Sequence, residues 1–165
     1  MTEKDAFHVL KLSLFSSRLL SRIEVERPIQ VGLNQLVSEE IQRNGIQEPF
    51  PLVNQSTLFS QAYICLVWGW AQIKSNNHEN AVITNLSRRF NILQDIRIEV
   101  TENRIIDDIN KFLEAMRNAC AHGHIIFVDD SYLKFSDKNA TISMQWNQFG
   151  KLCDDLLFSW NDVIY

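Results

Sequence analysis

The segment IIDDINKFLEAMRNACAHG, residues 105–123, decides how this chain folds. Ile105, Ile109, Phe112, Leu113, Met116 and Cys120 recur at three- and four-residue intervals, the spacing that lines one face of an α-helix. Thr101 is placed to cap its start, and Gly123, which can take a left-handed conformation without a Cβ penalty, to end it. A stripe this apolar must be buried against other elements, so the flanking sequence has to supply them.

Upstream, residues 4–27 carry Phe7, Leu10, Leu14, Leu19 and Ile23 near helical spacing. Pro28 fits the first turn of a second helix, with Ile29, Leu33, Leu36, Val37 and Ile41 on one side and a stop at Asn44-Gly45. Ser56 can cap a third helix reaching about residue 74, apolar all round and therefore central. Residues 76–101 leave two readings open, a short helix and a stretch, IRIEV, that alternates like a strand but also suits an extended loop. Downstream of Gly123, HIIFV, YLKF and TISMQ read as three short strands separated by DDS and SDKNA turns. A last amphipathic helix over residues 146–164 places Phe149, Leu152, Cys153, Leu156, Trp160, Val163 and Ile164 on one face. The expectation is an all-α fold, a helical bundle forming one domain over residues 1–165, with a small β-strand insertion at about 125–145 before the last helix.

Composition narrows the function. A chain of 165 residues, 45% apolar, can bury one proper core. Its longest apolar run, AYICLVWGWA, has ten residues, half of what a bilayer span needs, and the first residues lack the zones of a signal peptide. A cytosolic protein is expected, with Cys65, Cys120 and Cys153, scattered along the chain and free of any Cys-x-x-Cys pair, as reduced core thiols. A net charge of -4 excludes a uniformly basic nucleic-acid binder, so contact with such a ligand must be local.

Arg117 and His122, at the end of the segment quoted above, are chemically complementary toward a phosphate. The guanidinium is always charged and its fork matches phosphate oxygens. Imidazole, with an ordinary pKa of about 6.5, can take a proton from a ribose 2′-hydroxyl or give one to a leaving 5′-oxygen. Residues five apart on a helix differ by about 140° in direction and roughly 7.5 Å in rise, so a straight helix does not aim both at one atom. The helix end must relax, or two such ends must meet across a two-fold axis. The alternative is that both side chains are surface cations of a last helical turn, where the helix dipole favours them.

RNACAHG, residues 117–123, resembles the motif of the HEPN superfamily: an Arg followed by a polar residue, here Asn118, then a His after four to six residues, at the end of a late bundle helix. The resemblance implies an all-α domain that dimerises through its motif helices and, in many members, a metal-independent ribonuclease of toxin–antitoxin, abortive-infection or other defence systems. It implies Arg117 and His122 as the catalytic pair, with Asn118 orienting them or contacting RNA. The partners it implies are an RNA substrate, a second copy of the chain and a cognate antitoxin protein. The other function class open to such a chain is a non-catalytic interaction or nucleotide-binding module. Members paired with nucleotidyltransferase antitoxins carry a Tyr two residues after the His, where this chain has His124. His124 also satisfies the longer spacing from Arg117, so both imidazoles are candidates. The strand insertion is a second departure from a minimal bundle of the family.

Other residues attract weaker readings. Arg88 and Arg89, near Arg97, Arg104 and Phe90, form the one local basic enrichment and could touch an RNA backbone, though Asp95, Glu99 and Glu102 neutralise much of it. Cys120, His122 and His124 would suggest zinc on an extended strand, but Cys120 belongs to the apolar stripe and no second ligand cluster exists in the sequence, so neither metal nor cofactor is expected. Trp68, Trp70 and Trp160 read as core or dimer interface, Asp107-Asp108 and Asp154-Asp155 as solvated helix faces, and His8 and His78 carry no indicated role.

Overall fold

Helix α1, Glu3–Glu26, begins with a reciprocal cap: Asp5 N–H donates to Thr2 Oγ1 at 3.2 Å and Thr2 N–H to Asp5 Oδ2 at 2.8 Å. The hydrogen bonds from Thr2 hold the Asp5 carboxyl below its ordinary value. Phe7, Leu10 and Leu14 are buried, whereas Leu19 is exposed, so only the first half of the helix faces the core. The structure is a computed structural model that describes residues 2–46, 55–92, 96–100, 105–128, 132–138 and 140–165, with the backbone alone at 55, 56 and 127.

Pro28 does not open the second helix. It lies in the turn after α1, and α2 runs Val31–Arg43 from Gln30. Arg27, just before it, keeps helical angles (φ −51°, ψ −45°) and its N–H still bonds the Ile23 carbonyl at 2.8 Å, but Pro28 has no N–H to continue the ladder and α1 ends there. Helix α2 buries Val37 and Ile41 but leaves Leu36 64% exposed, and Ile29, in the turn before it, is 75% exposed, so two residues of the expected stripe stay out of the core. It stops as the sequence indicates: Gly45 has φ +66° and Ile46 N–H donates to the Ile41 carbonyl at 3.1 Å.

The expected central helix is a continuous helical run in three parts, α3 (Gln55–Ala62), a π-helical stretch (Tyr63–Gly69) and α4 (Trp70–Ser75). The Ser56 side chain lies outside the described atoms. Within the π-helical stretch Cys65, Leu66 and Gly69 are buried, packed between α1 and the motif helix. A Cβ at Gly69 would stand 3.0 Å from the Ile64 carbonyl oxygen of the same stretch, a close contact, and at an ordinary 3.4 Å from Leu10 Cδ2 of α1, so it is the π-helical backbone itself that favours glycine here. Helix α5, Glu79–Arg89, follows, and then strand β1, Arg97–Val100.

The motif helix, α6, spans Ile109–Ala121 and starts later than its apolar series suggests. Asp108, extended at φ −137° and ψ 163°, accepts the Lys111 N–H at 2.8 Å and fixes the start by satisfying an orphan donor. Ile105 is 69% exposed ahead of it, and Thr101 lies outside the described residues. Asp107 bonds Lys111 Nζ at 2.6 Å, which lowers its pKa and raises that of the lysine. The Asp107-Asp108 pair is thus a helix start with an ion pair rather than a bare solvated face.

Strands β2 (Ile125–Phe127), β3 (Tyr132–Ser136) and β4 (Ala140–Gln145) form the insertion, and α7, Trp146–Ile164, closes the fold. The sheet is larger than the insertion alone, because β1 pairs antiparallel with β4 to give the order β1-β4-β3-β2. IRIEV is therefore a strand. Leu133, Phe135, Ile142 and Met144 turn inward, where Phe135 meets Phe149 of α7 with ring centroids 5.5 Å apart. Phe112, Leu113, Met116, Leu152, Leu156 and Trp160 complete one continuous core. At its rim, Glu3 Oε1 accepts from Trp160 Nε1 at 3.0 Å and contacts His78 Nδ1 at 2.6 Å, so His78 has a structural role, joining the starts of α1 and α5 to the end of α7. None of the helices is long and apolar enough to cross a membrane among the described residues.

Phe112 is fully buried on α6 and Leu36 largely exposed on α2. Urea denaturation should therefore show Phe112→Ala losing about 3–5 kcal/mol of unfolding free energy, and Leu36→Ala staying within about 0.5 kcal/mol of wild type.

Candidate functional site

The end of α6 is a complete left-handed helix stop. His122 leaves helical geometry at φ −99° and ψ 3°, and Gly123 has φ +71°. Gly123 N–H donates to the Cys120 carbonyl at 3.2 Å and His124 N–H to the Ala119 carbonyl at 2.8 Å, the paired bonds of a Schellman motif. Ser136 N–H then donates to the His124 carbonyl at 3.0 Å, which joins the helix stop to the sheet. A Cβ on Gly123 would meet only Phe59 Cε2, at 4.0 Å, so the glycine answers a backbone demand and not a lack of space.

These bonds put His122 and His124 side by side at the surface. Both are exposed, and their ring centroids are 6.1 Å apart with the rings inclined by 35°. Arg117, one and a half turns back, is half-buried and donates from Nη2 to Asn118 Oδ1 at 3.1 Å. Asn118 Nδ2 in turn donates to Asp137 Oδ2 at 3.2 Å. Asp137 sits in the β3–β4 turn, where its N–H donates to the Ala140 carbonyl at 2.8 Å. Reasoning from sequence missed Asp137, which stands 19 positions from Asn118 inside a stretch that reads simply as turn.

Arg88 and Arg89 are elsewhere. They line a hollow with Phe90, Asp107 and Asp108 beside the start of α6, and the helix rise places that end roughly 20 Å from His122. Arg89 is engaged there, with Asp162 Oδ2 at 2.6 Å and its guanidinium 6.0 Å from the Phe158 ring centre. Arg97 pairs with Glu99 at 2.8 Å on β1, and Arg104, Asp95 and Glu102 lie outside the described residues. The basic enrichment of the sequence is thus not gathered at the motif.

Cys120 is buried and separated from the two exposed imidazoles, so the C-A-H-G-H stretch does not converge on an ion. Among the described residues no group of three or more His, Cys, Asp or Glu is placed to hold one. Burial pushes the Cys120 thiol up to about 12, with nearby Cys65 adding to the effect, and burial raises Cys153 well above its ordinary value. The three cysteines, scattered in sequence, are neighbours in the core.

A bundle with this motif at the end of a late helix is the architecture of the HEPN superfamily. A family model described as HEPN pEK499 p136 matches residues 4–164, nearly the whole chain, and the chain belongs to that HEPN family. Neither the curated proteins nor the solved structures contain a match to it.

Two outcomes follow from this geometry. Gly123→Ala forces a Cβ into the left-handed region without a steric neighbour, so it should cost about 1–2 kcal/mol in thermal or urea unfolding. Because a raised thiol pKa leaves Cys120 and Cys153 protonated at all pH values below it, a thiol-specific disulfide reagent at pH 8 should find them unreactive in the folded protein; all three cysteines should react in denaturant.

Proposed function

We propose that this protein is a metal-independent endoribonuclease, acting as a toxin or defence effector. The observation that supports the reading best is that one helix carries a half-buried arginine in its last turns and two exposed, adjacent imidazoles at its stop. His122 takes the proton of a ribose 2′-hydroxyl, and the freed oxygen attacks the adjacent phosphorus. The bond from phosphorus to the 5′-oxygen breaks, and a protonated imidazole, His124 or His122 of a second copy, gives that oxygen its proton. The products are a 2′,3′-cyclic phosphate and a 5′-hydroxyl, and no electrons are exchanged with a cofactor. Arg117 offsets the charge that builds on the phosphoryl oxygens, a contribution worth about 10²- to 10³-fold where single donors of this kind have been removed.

The helix end gives Arg117 a second task. Carbonyls at a helix C-terminus favour imidazolium but oppose phosphate, and a guanidinium one and a half turns back compensates. In this reading two copies associate through their motif helices and pool two such ends, and a cognate antitoxin protein restrains the activity.

Purified protein should cut total RNA and tRNA in EDTA, leaving cyclic phosphate ends. His122→Ala should slow cleavage by about 10²- to 10⁴-fold and Arg117→Ala by about 10²- to 10³-fold, with melting curves unchanged. Equal background cleavage by wild type and both variants, in folded preparations free of inhibitor, would instead identify a non-catalytic HEPN module.

A further inference from the structure

We infer that Asp137, on the turn of the strand insertion, is a positioning residue that sets the direction of the Arg117 guanidinium through the Asn118 amide. The inference rests on the ribonuclease reading above and adds to it a residue from outside the motif. A side-chain amide can present either its oxygen or its NH2 group to a neighbour, and its orientation is decided by the groups around it. Here the two neighbours leave no choice. An ionised carboxylate only accepts hydrogen bonds, so Asp137 Oδ2, 3.2 Å from Asn118 Nδ2, draws the NH2 group toward itself. A guanidinium only donates, so Arg117 Nη2 requires the Asn118 oxygen, which it meets at 3.1 Å. An acceptor-only group at one end and a donor-only group at the other thus select one orientation of the amide between them, and each bond strengthens its neighbour by polarisation.

The anchor is held by its own backbone. Asp137 N–H bonds the Ala140 carbonyl at 2.8 Å, and the preceding Ser136 N–H bonds the carbonyl of His124 at 3.0 Å. The β3–β4 turn is therefore fixed to the strand that leaves the histidine end of α6, and its carboxylate reaches back to the arginine end. This gives the insertion a function: it sets Arg117 relative to His122 and His124 across the five-residue interval that a straight helix leaves badly aimed. Among the described residues Arg117 donates one hydrogen bond, from Nη2, which leaves the other N–H groups of its fork for phosphate.

The role is distinguishable from that of a bystander by its sign. Removing a negative charge near a bound phosphate should by itself tighten RNA binding and leave cleavage intact or faster. Loss of aim should slow the chemical step. Steady-state cleavage of one RNA oligonucleotide by full-length Asp137→Ala should show kcat lower by about 10- to 100-fold with KM unchanged or reduced, the signature of misplacement rather than weaker binding. Asp137→Asn, whose amide oxygen can still accept from Asn118, should recover most of the rate and keeps the test valid if the alanine variant melts early. The double variant Asn118→Ala/Asp137→Ala should be no slower than Asn118→Ala alone. Wild-type kcat in Asp137→Ala, or losses that add in the double variant, would overturn the inference while leaving the ribonuclease reading intact. If wild type cuts no RNA, that reading fails, and binding of the 2′-deoxy form of the same oligonucleotide decides the inference. Non-additive effects of Arg117→Ala and Asp137→Ala on its Kd sustain the link between them, and additive effects overturn it.

Discussion

The left-handed turn at Gly123 is the constraint on which the rest depends. With φ at +71° the backbone turns back on itself, so that His124 N–H caps the Ala119 carbonyl while the His124 carbonyl receives the first bond of the sheet. One residue thereby ends α6, lifts two imidazoles clear of the helix and launches β2. Had the helix continued, His124 would lie about two turns, roughly 10.5 Å, beyond Arg117 and the strand insertion would have no fixed origin. The exposed histidines and the strand insertion are consequences of the same dihedral angle.

That turn holds its position because α6 is anchored behind it. Phe112, Leu113, Met116 and Cys120 are all buried, in a helix packed against the π-helical stretch, α5 and β3 of the sheet. A π-helical turn carries its carbonyls on a wider ring than an α-helix, and such turns are uncommon insertions in α-helices. Here its buried residues are Cys65, Leu66 and Gly69, and α1 packs on it through Leu10. The motif helix is therefore seated in a core that tolerates little shift, which suits a site whose effect depends on aim.

Elements bounded by local chemistry were legible from the residues. The stop at Asn44-Gly45, the end of α6 at Gly123 and the start of α7 at Trp146 depend on neighbours within a few positions, and all three fall where expected. The start of α6 was misplaced because Ile105 continues the apolar period although Asp108 supplies the cap; a period shows which face is apolar but does not mark where helix geometry begins. Ile29 and Leu36 are exposed for other reasons: Ile29 falls in the turn before α2, and an apolar side chain on a helix, as at Leu36, says nothing about whether a partner covers it. Of the candidate site, Arg117, Asn118, His122 and His124 share one segment and were visible together. Asp137 and β1 were not, because each is brought in by strand pairing between distant positions, Glu99 with Thr141 and His124 with Ser136, that no local pattern encodes.

Charge explains why geometry has to carry so much. The chain has a net charge of -4, its paired arginines Arg88 and Arg89 lie near the far end of α6, and Arg89 is committed to Asp162. Long-range attraction of a polyanion is therefore weak, and in the proposed reading an approaching phosphate would meet a helix terminus whose carbonyls repel it. Under those conditions a guanidinium that wandered would give little, because the field that would compensate for poor aim is missing. A carboxylate, an amide and a guanidinium in series cost the site one further negative charge, yet they hold the cation in one direction. In the proposed ribonuclease reading such a chain suits a site where direction counts for more than attraction, because in phosphoryl transfer the developing charge sits on particular oxygens.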